Sequence, residues 1–213
     1  MTRARLCAWW LLVLAACEPS VPAPPGLADP SQANERAPET FRVRFETTKG
    51  AIVADCRRET APHGVDRFYN LVKRGFFDDV AFFRVVRDPR PFVAQFGLHG
   101  IPAVNAKWSG QTLPPDPPKT SNVRGSLTFA MAGSPDTRST QLFINLGDNV
   151  ALDKMGFAPI CQLDEASMLV ADQLHAGYGE KLTEQQGRIS SEGNVFLKRE
   201  YPELDYIKSA LLE

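Results

Sequence analysis

Phe41-Arg42-Val43-Arg44-Phe45-Glu46-Thr47 alternates apolar and polar side chains, the two-residue period of a half-buried strand. Lys49-Gly50 supplies a turn, and Ala51-Ile52-Val53-Ala54-Asp55-Cys56 follows as the hairpin partner. The period then lengthens. From Ala61-Pro62 onward, Val65, Phe68, Leu71 and Val72 share one helical face, with a proline near the start and Gly75 as the stop. Beyond Gly75 come short apolar runs at 80–86, 92–96, 126–132, 141–146 and 157–163, separated by loops rich in Gly, Pro, Ser and Asp. A second helical pattern spans about 167–175, with Met168, Leu169, Val170 and Leu174 as its apolar side. Many short strands with turn signals predict a barrel or sandwich, and two helices far apart in sequence suit a β-barrel plugged at both ends.

The ends of the chain read differently. Arg3 and Arg5 precede an apolar run at 6–16, too short to span a bilayer but long enough for a signal-peptide core. The run ends Leu14-Ala15-Ala16-Cys17, which resembles a bacterial lipobox. That predicts a signal peptide over 1–16 and a diacylglyceryl group on Cys17, a multi-chain anchor strong enough for stable attachment. Glu18 follows, not the aspartate of an inner-membrane retention signal, so a periplasm-facing outer-membrane location is favoured. Residues 17–40 then form a lipidated, proline-rich linker, with Pro19, Pro22, Pro24, Pro25, Pro30 and Pro38 and few large apolar residues. The main domain is expected over 41–176. The tail at 177–213 holds Val195, Leu197, Tyr201, Leu204, Tyr206, Ile207 and Leu211, too apolar for a disordered end, and is expected to pack on that domain.

The 213 residues suffice for one domain with a substantial core. A net charge of -1 gives no basic excess for nucleic acid. With Cys7 in the signal and Cys17 lipidated, Cys56 and Cys161 remain. They are either a disulfide of an oxidising compartment or two buried thiols that never meet, and spacing alone leaves both open. His63, His99 and His175 lack metal-ligand spacing, and neither a G-x-S-x-G elbow nor a phosphate loop occurs.

Two blocks carry specific chemistry. One runs Gly75-Phe76-Phe77-Asp78-Asp79-Val80-Ala81-Phe82-Phe83-Arg84-Val85-Val86 and then Pro91-Phe92-Val93-Ala94-Gln95. The other is Ala130-Met131-Ala132-Gly133 with Thr140-Gln141-Leu142-Phe143-Ile144. Each sets groups that bind a peptide amide among residues that hold a small apolar ring. Together they resemble the cyclophilin family of peptidyl-prolyl cis-trans isomerases, over roughly 41–174. The stretches Leu142-Phe143-Ile144-Asn145-Leu146-Gly147-Asp148-Asn149 and Gly156-Phe157-Ala158-Pro159 are similar to bacterial envelope members.

That resemblance implies a closed eight-stranded antiparallel β-barrel capped by two α-helices. It also implies a monomer without metal or cofactor that acts on proline-containing polypeptides, here unfolded or partly folded envelope proteins. Arg84 would be the catalytic donor, with Gln95 beside it. Phe92, Val93, Phe143 and Leu152 would line the proline pocket, and Ala130, Met131, Ala132 and Gln141 would hold the substrate backbone. The chain departs from the family at Phe83, where most members carry His before the arginine. The loop 87–90 is three residues longer, and Phe96 replaces the first of two glycines after Gln95. Met131 stands for a frequent Asn, Ala151 for a Trp, and Gly156 for a His. Altered efficiency and specificity are expected, and tight cyclosporin binding is not. The alternative is a catalytically weak proline-peptide-binding or chaperone-like module. A third reading is a structural lipoprotein that docks a partner through its C-terminal segment.

Overall fold

The alternation in the first hairpin translates directly into burial. In β1 (Thr40–Thr47) and β2 (Ala51–Arg57), Val43, Phe45, Ile52, Ala54 and Cys56 point into the core while their neighbours face outward. The structure, a computed structural model, describes residues 21–213. The expected signal segment 1–16 and the expected lipid site Cys17 lie outside the described residues.

Seven more strands follow: β3 (Val80–Ala81), β4 (Arg84–Val85), β5 (Val93–Phe96), β6 (Ser126–Phe129), β7 (Leu142–Asn145), β8 (Pro159–Leu163) and β9 (Tyr206–Leu212). They form one curled antiparallel sheet in the order β3-β9-β1-β2-β8-β6-β7-β5-β4. The fold is mainly β, but it differs from the expected closed eight-stranded barrel with two helices. The apolar run 80–86 divides: β3 pairs with β9, β4 pairs with β5, and no ladder joins β3 to β4. Between them the Phe82 N–H donates to the Asp205 carbonyl, so the chain steps from one sheet edge to the other. The described residues hold four α-helices: α1 (Pro62–Lys73), α2 (Pro102–Trp108), α3 (Glu165–Ala171) and α4 (Gln186–Glu200). The first and third match the two periodic segments. Asp164 caps α3 by accepting the Ser167 N–H at 2.7 Å, and Leu169, read as apolar-side, is in fact exposed.

One apolar cluster fills the sheet's concave side. Val65, Phe68, Leu71 and Val72 of α1 meet Phe45, Ile52, Leu127, Ile144 and Ile207. Phe45, Phe68, Phe77 and Phe96 stack at centroid distances of 5.6–6.2 Å. Phe96, expected from the resemblance to replace a glycine, therefore serves as core filling. His99 is also core: it lies edge-on to Phe76 at 5.4 Å, and burial pushes its imidazole down to about 4. Cys56 and Cys161 are register partners on β2 and β8 and form a disulfide.

Two boundaries shift. Much of the supposed linker packs on the domain: Leu27 and Ala37 are buried, and the Trp108 indole N–H donates to the Leu27 carbonyl at 2.9 Å. Proline there shapes two short 3-10 turns (Pro25–Leu27 and Pro30–Gln32) rather than a free tether. The tail is not an appendage either, because its last strand, β9, lies between β3 and β1. Its helix α4 bends at Gly193 (φ 62°, ψ −147°), a conformation open essentially to glycine, and the following Asn194 N–H bonds the Gly100 carbonyl. A second, smaller cluster joins the tail to the sheet: Phe83 and Ala81 with Leu182, Ile189, Phe196 and Leu197.

Candidate active site

The period-two alternation of the sheet selects the site residues. Val85, Ala94, Phe96, Leu142 and Ile144 go into the core cluster. Their neighbours Arg84, Val93, Gln95 and Phe143 go to the other face. Arg84 on β4 is the register partner of Gln95 on β5, and Gln95 is the partner of Phe143 on β7. Three strands thus deliver three predicted residues to one patch.

A polar chain runs across that patch. Arg84 Nη1–H donates to Gln95 Oε1 at 2.9 Å, and Gln95 Nε2–H donates to Gln141 Oε1 at 2.8 Å. The guanidinium lies 5.5 Å from the Phe92 ring centroid, within cation–π range. Gln141 sits close to Gln95 because Gly97 (φ +104°) carries no side chain; a Cβ there would lie 2.7 Å from Gln141 Cα and collide with the Thr140 carbonyl. Gln95, Ala130, Met131, Ala132, Gln141 and Gln186 line a recess of about 240 Å³. The run predicted as a strand to 132 ends at Phe129. Beyond it the Ala130 N–H is taken by the Gln141 carbonyl and the Ala132 N–H by Thr137 Oγ1. The backbone of 130–132 is therefore a shaped loop wall, not the tip of a strand.

Of the four pocket residues, Phe143 and Val93 are buried and Phe92 is half-buried beside Arg84. Phe143 packs edge-on against Phe157 at 5.7 Å. Leu152 is linked to Phe157 through the backbone alone, the Phe157 N–H donating to the Leu152 carbonyl at 3.3 Å. Phe157, from the Gly156-Phe157-Ala158-Pro159 stretch, thus stands beside an expected pocket residue.

Other supports have no simple signal in the sequence. Asn122, Asn145 and Asn149 form a buried network behind the apolar wall. Asn122 Nδ2–H donates to Asp153 Oδ1 (2.7 Å) and the Phe157 carbonyl (2.9 Å). Asn149 Nδ2–H donates to Asn145 Oδ1 (2.8 Å) and the Phe92 carbonyl (2.9 Å). Satisfied networks of this kind rigidify the loops they join. Burial alone would raise the Asp153 pKa, but bonds from Ser121 and Asn122 outweigh it and hold the carboxyl below its ordinary range. The lengthened loop 87–90 is also tied down: Arg87 Nη2–H donates to the Ala171 carbonyl at 2.9 Å, at the end of α3.

The largest surprise is Glu180. Arg84 Nε–H donates to Glu180 Oε2 at 2.7 Å, and Nη2–H to Oε1 at 2.8 Å. Those bonds hold the Glu180 carboxyl below the usual glutamate range, against the opposing effect of burial. A larger recess, of about 750 Å³, lies elsewhere, lined by residues that include Asp55, Arg57, Gln162 and Asp164, and contains none of the predicted site residues.

A fixed guanidinium, an amide relay, an apolar wall and a loop backbone can grip an extended peptide and present a donor to one of its amides. A family model described as cyclophilin-type peptidyl-prolyl cis-trans isomerase matches residues 42–192, reaching into the tail. The isomerase ppi1 of Schizosaccharomyces pombe is 34% identical over 117 residues, covering 52% of this chain and 71% of that protein. Peptidyl-prolyl cis-trans isomerase B of Escherichia coli is 30% identical over 115 residues, covering 54% and 68%. Among solved structures, a cyclophilin-type isomerase of Cryptosporidium parvum covers 82% of this chain and 98% of its own, with a TM-score of 0.59 at 18% identity. The same protein was also solved in the presence of the dipeptide Ala-Pro. With the family model matching most of its length and relatives at 30–34% identity, the chain belongs to the cyclophilin-type peptidyl-prolyl cis-trans isomerases.

Proposed function

We propose that Arg84 catalyses prolyl isomerisation electrostatically, and that the protein acts on unfolded or partly folded cell-envelope proteins while anchored through Cys17. The observation that carries the catalytic reading is the Arg84–Gln95–Gln141 chain beside Phe92 and Phe143. Rotation about a peptide C–N bond faces a barrier of about 18–20 kcal/mol, because resonance must be broken. For an X-Pro bond the uncatalysed exchange takes tens to hundreds of seconds. In the twisted state the imide nitrogen becomes pyramidal and electron-rich. An N–H donor aimed there binds the twisted state better than either planar isomer, which is what lowers the barrier. No nucleophile is required. Phe92, Val93, Phe143 and Leu152 would hold the ring, while the 130–132 wall and Gln141 would hold the flanking backbone.

A peptide bearing one X-Pro bond, titrated into isotope-labelled protein, should shift the amides of Gln95, Ala130, Met131, Gln141 and Phe143. Shifts confined to the Asp55–Asp164 recess would refute the site assignment.

The envelope reading is supported by the Cys56–Cys161 disulfide, since disulfides persist in oxidising compartments, and by the Leu14-Ala15-Ala16-Cys17 sequence. Full-length protein should fractionate with outer membranes in a Gram-negative host, and Cys17→Ser should abolish acylation. Wild-type protein recovered unacylated would remove the anchor from the account.

A further inference from the structure

The turn at 177–185 brings the tail back over β4, and one of its carboxylates grips the guanidinium at the heart of the site. We propose that Glu180 is a positioning residue for the isomerase reaction: it fixes the plane of the Arg84 guanidinium so that the free N–H groups meet the twisted prolyl amide. The inference rests on Arg84 being the transition-state donor.

The bond pattern defines the role. A guanidinium has five N–H groups. Glu180 takes the one on Nε and one on Nη2, and Gln95 takes one on Nη1. One N–H on Nη1 and one on Nη2 are left for a substrate. Gln95 alone would fix a single nitrogen and leave the plane free to turn. The bidentate carboxylate removes that freedom, and an arginine held in one orientation need not be ordered during the reaction.

Glu180 is itself held. Thr183 Oγ1–H donates to its Oε2 at 2.7 Å. Two residues on, Leu182 is fully buried with Phe83, Ile189, Phe196 and Leu197. Phe83 is the residue immediately before Arg84. One apolar cluster therefore sets the backbone of both partners. The Phe at position 83 fits this: a buried ring there anchors the tail that carries the carboxylate.

Two effects of the carboxylate oppose one another. It orients Arg84, and it offsets part of the guanidinium charge. The exposures decide between them. The Glu180 side chain is 55% exposed and its charge is screened by water, whereas the Arg84 side chain is 18% exposed. Orientation should prevail, and the partner's removal should slow turnover rather than weaken peptide binding.

A double-mutant cycle on the purified full chain tests this, with kcat and KM measured for an X-Pro peptide. The variants are Glu180→Gln, Arg84→Ala and the pair. Glu180→Gln should lower kcat by roughly three- to tenfold with KM changed less than twofold, and should have no further effect once Arg84 is Ala. An unchanged or higher kcat in Glu180→Gln overturns the proposal, the latter by showing that the carboxylate restrains Arg84. Equal losses in both backgrounds overturn it too, since they mark a fold effect. Failure of the Arg84 reading would appear separately, as full activity in the Arg84→Ala single variant.

Discussion

Arg84→Ala should lower kcat/KM for an X-Pro peptide by about 10²–10³-fold, the usual cost of deleting one preorganised transition-state donor, or about 2.7–4 kcal/mol. The fold should survive. Arg84 is on the sheet's outer face at the end of a two-residue strand, and its neighbours in the core are Phe82 and Val85. Arg84→Lys should recover only part of the rate, because a point ammonium cannot bond Gln95, Glu180 and the substrate in one plane. Urea melts of each variant would separate folding from chemistry. A loss under threefold in a well-folded Arg84→Ala protein contradicts the electrostatic role.

Asp116→Ala should destabilise the protein by about 3–5 kcal/mol, as breaking one side of a buried ion pair does. Asp116 and Arg138 have side chains 2% and 1% exposed, with Oδ2 and Nη1 3.2 Å apart. The carboxylate has a second role. It accepts the N–H groups of His63 (3.0 Å) and Gly64 (2.8 Å), capping α1 at an end that has no cap of its own. Alanine would leave a buried guanidinium facing only the Pro114 and Pro135 carbonyls, along with two orphaned helix donors. Arg138 also fixes the loop between the 130–132 wall and Gln141, so peptide binding should weaken as well. The double variant Asp116→Leu with Arg138→Met should be less damaged than Asp116→Ala. A shift in unfolding free energy below 1 kcal/mol in Asp116→Ala would show that the pair is not an anchor.

Where one face of an element meets the core and the other meets water, the chain announces its structure. That holds for β1, β2 and α1, whose apolar residues recur at periods of two and 3.6. It fails at 80–86, where Val80, Ala81, Phe82, Phe83 and Val85 are all buried, so no alternation marks the division between β3 and β4. It fails again at 24–40. Proline density reads as an extended tether, yet buried Leu27 and Ala37 and backbone bonds to Asn70 and Asp66 dock the segment. The tail was legible as apolar but not as a strand of the sheet, because β9 pairs with residues more than 150 positions away in β1. The site follows the same rule. Arg84, Gln95, Gln141 and Phe143 sit in two local blocks that a resemblance can reveal. Glu180 lies 96 residues from Arg84 in a polar stretch, where a carboxylate has no periodic signature.

The most direct test of the account is the cis–trans exchange rate of a short X-Pro peptide in the presence of catalytic amounts of the wild-type protein. Exchange should be accelerated far beyond the tens to hundreds of seconds of the free peptide, saturating with peptide concentration. A well-folded protein that binds the peptide at Gln95, Gln141 and Phe143 yet leaves its exchange rate unchanged would contradict it, and would make the groove a proline-recognition site without turnover.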